Sequence, residues 1–262
     1  MTLRYRSAAE SLETALRDLR ESQEHVRRAE RLSVLGEVAA GLAHEIRTPL
    51  AGVRGALEII AGRAAPASPE AEFGELGTKE LKRLEQLVTD FLAYARPRRP
   101  ELRSASLGEL VEHGTALLRP TADARGVVFE ADRPARPAAV RIDPDQMQEV
   151  LINVLSNAIE ASPAGSAVRI RERSAPPWAI IEVIDEGPGV PTEHLGRIFE
   201  PFFTTKEKGT GLGLAISSRI VSAQGGEIEA QSINGRGTTV RIRLPLAGSA
   251  LEPPGERTRG VS

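Results

Sequence analysis

At 262 residues the chain has room for two compact units, each large enough to bury its own core. Its formal net charge of −2 raises no field that would gather nucleic acid or anionic lipid, which argues against a DNA-binding module. The lack of cysteine excludes disulfides and thiolate metal sites, and neither a signal-peptide region nor a run of ~20 apolar residues occurs, so the expectation is a soluble, cytoplasmic chain without membrane contact.

Leu12, Leu16, Leu19 and Val26 recur at heptad-like intervals among charged residues, which predicts a coiled-coil signalling helix over residues 1–31. The pattern resumes in another phase at Leu32, Leu35, Ala39, Leu42 and Ile46, so the register shifts between Val26 and Leu32. Arg63 to Pro69 interrupts the helix, and Phe73, Leu76, Leu84, Leu87, Phe91 and Ala95 restart a helical stripe. Residues 32–97 therefore read as an antiparallel helical hairpin. Its apolar stripe is too broad to bury alone, which predicts a homodimer built as a four-helix bundle.

Pro97-Arg98-Arg99-Pro100 ends the second helix, and residues 98–103 are expected to form a hinge. In the domain expected over residues 104–246, helices are predicted at Leu107 to Leu118 and Pro144 to Ala161, and strands at Val127 to Ala131 and Val140 to Ile142. A hairpin follows, Ala167 to Arg173 and Ala179 to Asp185, then a loop, a helix from Gly211 to Gln224, and strands Gly226 to Ser232 and Thr238 to Leu244. The fold class is α+β, with the helical hairpin preceding an α/β sandwich on a mixed sheet. Residues 247–262 hold too little apolar surface to order themselves and read as a disordered tail.

Several segments carry chemistry. In His44-Glu45-Ile46-Arg47-Thr48-Pro49-Leu50, His44 and Thr48 share one helical face while Glu45 is rotated about 100° away. A neutral imidazole can attack phosphorus through Nε2 when its Nδ1 proton has an acceptor, and Glu45 is the candidate. Pro49 removes the helical donor to the Glu45 carbonyl and predicts a kink just beyond the reactive turn. On an arbitrary helix such a His is a solvated surface residue; the surrounding motif is what changes the reading.

Asn153 and Asn157 lie four apart on one face of an otherwise apolar helix, and two neutral amides suit a hydrated Mg²⁺ whose other ligands are phosphate oxygens. Either one alone would read as a helix-edge hydrogen-bonding residue. Asp185-Glu186-Gly187-Pro188-Gly189 ends a strand in a tight turn, where the Asp185 carboxylate can accept adenine's exocyclic N–H. Three of the six phenylalanines, Phe199, Phe202 and Phe203, precede a loop bearing Lys206 and Lys208, which are two of only four lysines. They read as hinge packing beside mobile cations. Gly209, Gly211 and Gly213, around Leu212, allow backbone N–H groups to approach phosphates where a helix begins. Gly235 and Gly237, before Thr238, read as a hairpin turn.

In this order the segments resemble those of the sensor histidine kinases of two-component signalling. All seven positions from His44 to Leu50 match that family's phosphoacceptor box, and the later segments are similar to its N, G1, F and glycine-rich boxes. The resemblance implies a dimerising hairpin and a Bergerat-type ATP-binding domain that uses ATP and Mg²⁺. By it, His44 is the phosphoacceptor, Glu45 the base and Thr48 the residue that positions a water for dephosphorylating the partner. Asn153 and Asn157 hold the metal. Asp185, Gly187, Gly189, Phe199, Phe203, Lys206, Lys208, Gly209, Gly211, Leu212, Gly213 and Thr238 line the nucleotide. The partner is a response regulator receiver domain, phosphorylated on aspartate. Two other readings stay open: an ATPase of the gyrase, chaperone and mismatch-repair group, which carries Glu where Asn153 stands, and a signalling scaffold or net regulator phosphatase.

Overall fold

In the computed structural model, which describes residues 46, 48–62, 68–132, 134, 138–206, 209–233 and 235–248, the chain divides after Pro97 into two units. The coiled-coil reading of residues 1–31, His44, Glu45, Lys208 and the tail from residue 249 onward lie outside the described residues.

In the first unit, helix α1 (48–62) is followed by α2 (Pro69–Ala95). Ser68 caps α2 by accepting from the Ala71 N–H at 3.2 Å, Pro69 opens its first turn, and Glu70 and Glu72 complement the positive end of the helix. The two helices run antiparallel: Ala61 faces Gly74, Leu57 faces Gly77, and Arg54 Nη1 donates to both Glu85 carboxylate oxygens at 3.0 and 3.1 Å. A Cβ on Gly74 would stand 2.7 Å from the Ala61 Cβ, so glycine is what lets the helices approach this closely.

The second unit is built on a five-stranded mixed sheet and a two-stranded one. The strands are β1 (Arg103–Ser106), β2 (Val128–Asp132), β3 (Ala139–Ile142), β4 (Ala167–Ala175), β5 (Trp178–Ile184), β6 (Glu227–Ser232) and β7 (Thr238–Pro245). The larger sheet has the order β2-β4-β5-β7-β6, with β2 parallel to β4 and the other pairs antiparallel; β1 pairs antiparallel with β3. Helices α3 (Leu107–Ala124), α4 (Pro144–Ala161) and α6 (Gly213–Ala223) supply the helical layer, and α5 (Thr192–Leu195) is a single turn.

Alternation sorts the faces. Val168 and Ile170 of β4, Ala179, Ile181 and Val183 of β5, and Ile242 and Leu244 of β7 are buried together with Met147, Val150, Leu151, Val154, Leu155, Ala158 and Ile159 of α4. On the opposite face Arg241 bridges Glu182 and Glu229, and Arg243 bridges Glu227 and Glu229, in a lattice of cross-strand charges.

Three elements differ from their sequence expectations. α3 continues past Pro120 to Ala124, because Ala122 is buried in the core and the Arg125, Gly126 and Val127 N–H groups close the final turn on Ala122 and Asp123. β1 is a four-residue strand, Arg-Ser-Ala-Ser, whose polar sequence shows no alternation. α5 is too short to show a period.

Candidate functional site

α4 presents Asn153 and Asn157 half-buried at the edge of its apolar stripe. Asn153 is held by α6: its Nδ2 donates to the buried Ser217 hydroxyl at 2.9 Å, while its Oδ1 accepts from Asn157 Nδ2 at 3.4 Å. Gly213, the first residue of α6, lies so close that a Cβ there would overlap Asn153 Oδ1. The third glycine of the motif is therefore required by the first asparagine.

α6 begins without a side-chain cap and without an acidic residue in its first turn. Its leading N–H groups and positive dipole end are thus available to an anion beside the asparagine pair. Leu212 is fully buried beneath this turn, its N–H bound to Thr210 Oγ1 at 3.2 Å. Gly211 has φ +67°, and a Cβ there would stand 2.5 Å from the Phe202 carbonyl carbon, so the glycine-rich turn packs directly on the base of the preceding loop.

That loop brings a cation to the same place. Lys206 Nζ lies 2.6 Å from Asn157 Oδ1 and 2.6 Å from Glu160 Oε2. At the loop's root the Phe203 ring contacts His194, with centroids 5.4 Å apart, and Arg197 stacks over it at 4.5 Å. Phe203 thus anchors the loop, and Phe199 is half-buried just before it.

Asp185, immediately after β5, is buried, and its Oδ1 accepts from the N–H groups of Gly187 at 2.9 Å and Thr238 at 3.1 Å. Burial pushes its carboxyl above the ordinary value, against the pull of those two N–H groups and the Lys206 charge. Gly187 packs on the end of α4, where a Cβ would stand 2.7 Å from the Ala161 carbonyl oxygen. Gly189, with φ +77°, passes close under the Ile233 carbonyl, and Ser232 ties this loop to the β6–β7 turn by accepting from Val190 N at 2.8 Å and donating to Gly237 O at 2.8 Å.

The structure therefore gathers Asn153, Asn157, Lys206, Leu212 and Gly213 around the start of α6, and Asp185, Gly187, Gly189 and Thr238 at the ends of β5 and β7. Thr48 belongs to the other unit, exposed on α1. Sequence reasoning missed Ser217 and Glu160. Each had a helical signal: Ser217 stands four residues beyond Gly213 and Glu160 three beyond Asn157, so each shares a face with its motif neighbour.

The donor set fits a magnesium nucleotide. Asn157 Oδ1 already accepts a cation at short range, and the uncapped start of α6 lies next to it. Among the described residues no cluster of three His, Cys, Asp or Glu side chains forms a metal site, and no helix is long and apolar enough to cross a membrane.

Residues 142–248 match the family described as histidine kinase-, DNA gyrase B-, and HSP90-like ATPase, and residues 34–100 the His Kinase A (phospho-acceptor) domain; together they span more than half of the chain. Sensor histidine kinase ZraS of Escherichia coli (strain K12) is 35% identical over 234 residues, covering 89% of this chain and 50% of its own. Full-length ShkA, solved in complex with AMPPNP, superposes with a TM-score of 0.70 at 27% identity over 80% of this chain and 46% of that one. Histidine kinase ThkA, solved in complex with response regulator protein TrrA, gives a TM-score of 0.64 at 30% identity over 86% of this chain and 66% of that one. The chain spans between 31% and 52% of the length of the curated kinases it matches at similar identity.

Proposed function

The chain belongs to the sensor histidine kinases of two-component signalling, and from that membership we propose that it transfers the γ-phosphoryl group of ATP to its own His44 and then to an aspartate of a response regulator. The carrying observation is the arrangement of Asn153, Asn157, Lys206 and the start of α6, with an amide rather than a carboxylate at Asn153. A hydrolase needs a base to activate water, and Asn153, committed through its Nδ2 to Ser217, is no base.

In this reading Asp185 accepts the adenine amino group, Gly187, Gly189 and Thr238 shape the base's surroundings, Gly211 and Gly213 bring N–H groups to the phosphates, and Gly209 and Leu212 hold the turn that presents them. Asn153 and Asn157 hold Mg²⁺, which would neutralise charge on the phosphate oxygens. Phe199 and Phe203 support the lid, and Lys206 and Lys208 supply its cations. His44 Nε2 attacks the γ-phosphorus as its bond to the bridging oxygen breaks and ADP leaves, and Glu45 takes the Nδ1 proton. Thr48 positions a water on the same helical face when the regulator is dephosphorylated.

The resemblance to ThkA, solved with response regulator TrrA, supports a receiver domain as partner, and that to ShkA, solved with AMPPNP, supports an adenine nucleotide. A homodimer is supported by the hairpin's exposed apolar side chains, and an ATP-consuming reaction fits a cytoplasmic location.

Incubation with γ-labelled ATP and Mg²⁺ tests the reading. Protein-bound label that survives alkali, is lost in acid and disappears in His44→Gln is the expected result. Label retained by that variant would remove His44 from the mechanism.

A further inference from the structure

α4 ends in a carboxylate that no motif accounts for. Glu160 lies one turn beyond Asn157, on the side of the helix that meets the lid, and Lys206 Nζ reaches both, at 2.6 Å from each oxygen. The lysine is fixed to the lid backbone at both ends: its N–H donates to Thr204 Oγ1 at 3.1 Å, and its carbonyl accepts from Gly209 N at 3.2 Å. The ammonium is thereby tied to Thr204 and Gly209 through the Lys206 backbone. Arg125 Nη1 also reaches this end of α4, at 3.4 Å from the Glu160 backbone carbonyl, while the Glu160 carboxylate pairs with Lys206.

We propose that Glu160 is a positioning residue for the lid, holding the Lys206 ammonium on Asn157 Oδ1 as a stand-in cation until a metal-bound nucleotide displaces it. The inference rests on the assignment of Asn157 as a metal ligand. An ammonium and Mg²⁺ seek the same kind of oxygen, and two cations crowded on one amide oxygen repel each other, so the arriving metal and the lysine compete. Glu160 sets the outcome: its charge retains the lysine in the free chain and receives it again when nucleotide leaves. With the two side chains 43% and 48% exposed, the effect is modest and screened by salt.

Hydrogen exchange of the lid backbone in the nucleotide-free full chain, at low ionic strength, reads this contact without any turnover. Glu160→Gln is expected to accelerate lid exchange ~2- to 5-fold, Lys206→Met to do the same, and the double variant to exchange no faster than either. Added salt erases the difference, and Mg²⁺ with a non-hydrolysable ATP analogue brings native and Glu160→Gln lids to a common rate. Unchanged exchange in Glu160→Gln, or additive effects in the double variant, overturns the proposal. An analogue that binds while leaving the native lid rate unaltered overturns the displacement step. An analogue that fails to bind counts against the kinase reading, and the free-chain comparison still decides the role of Glu160.

Discussion

Asp185 carries a charge that the fold alone would not select. Burial raises its carboxyl above the ordinary 3.8, and neither its two backbone donors nor the charge of Lys206 fully offsets that. The folded chain thus binds this proton more tightly than the unfolded one. The group's contribution to stability is present below the ordinary value and is lost as pH rises through the raised folded value. Ionised, Asp185 costs stability, and the proposed adenine contact would give that charge a use. Asp185→Asn keeps an oxygen for Gly187 and Thr238 while removing the charge. We expect its thermal midpoint at pH 7 to equal or exceed that of the native chain, the gap closing as the pH falls through the raised value of the folded carboxyl toward the ordinary one. ATP affinity is expected to fall roughly 10- to 100-fold, as for the loss of a charge-assisted hydrogen bond. Titration calorimetry measures the second effect, and unchanged affinity would detach Asp185 from adenine recognition.

At the scale of elements, one residue, Asp143, joins four segments. Asp143 ends β3 and caps α4, its Oδ1 accepting from the N–H groups of Asp145 and Gln146, both at 3.1 Å. Its Oδ2 accepts from Arg98 Nη2 at 2.9 Å and Glu101 N at 3.0 Å, so the segment expected as a hinge carries two contacts to the domain. Its own N–H donates to Gln224 Oε1, at the far end of α6, and Gln224 and Gln146 close the ring back to the Arg98 carbonyl. Burial raises this carboxyl, but the N–H groups of Glu101 and Gln146, the Arg98 charge and the Asp145 N–H together bring it below its ordinary value. Its stabilisation is therefore present above the unfolded value and lost as pH falls through the depressed folded one. Asp143→Ala is expected to destabilise by ~2 to 4 kcal/mol at pH 7, combining a lost cap with lost charge-assisted bonds. Urea unfolding at neutral and at acid pH checks this: the difference should shrink sharply in acid.

The same network marks where sequence reading stops. α4 was legible from Pro144 to Ala161 because a proline at its start and a 3.6-residue apolar period need only local physics. Asn153, Asp185 and Gly213 stood out as candidates because each stands in a pattern with its own chemistry. That Gln224 meets Asp143 and Gln146, or Ser217 meets Asn153, depends on how α6 packs against α4, and no local pattern encodes which buried amides and hydroxyls will pair. The helix expected to end at Leu118 runs on through Pro120 to Ala124 for the converse reason: the proline's local preference lost to the burial of Ala122.

Across the whole molecule the two units differ in how completely they bury themselves. The second has a continuous core joining all three of its longer helices to the sheet. In the first, among the described residues, only Leu81 and Ala95 are buried apolar side chains, while Val53, Ile60, Phe73 and Leu76 are 50%, 52%, 71% and 55% exposed. Val53 and Ile60, seven apart on α1, continue the heptad spacing of the exposed Ile46 just before it, so they form one stripe rather than a scatter of single side chains. Covering a half-exposed Val or Ile contributes roughly 1 kcal/mol, and a second copy of the hairpin offers the same stripe in return. Val53→Glu with Ile60→Glu places charge where a symmetric partner would bury it, doubling the disruption because each copy carries both changes. Light scattering should then report the monomer mass where the native chain reports the dimer. ATP affinity should be unchanged, because the residues proposed to hold the nucleotide all belong to the second unit. A native chain that is monomeric at micromolar concentration, or a variant that keeps the dimer mass, would show that this stripe is not the dimer interface.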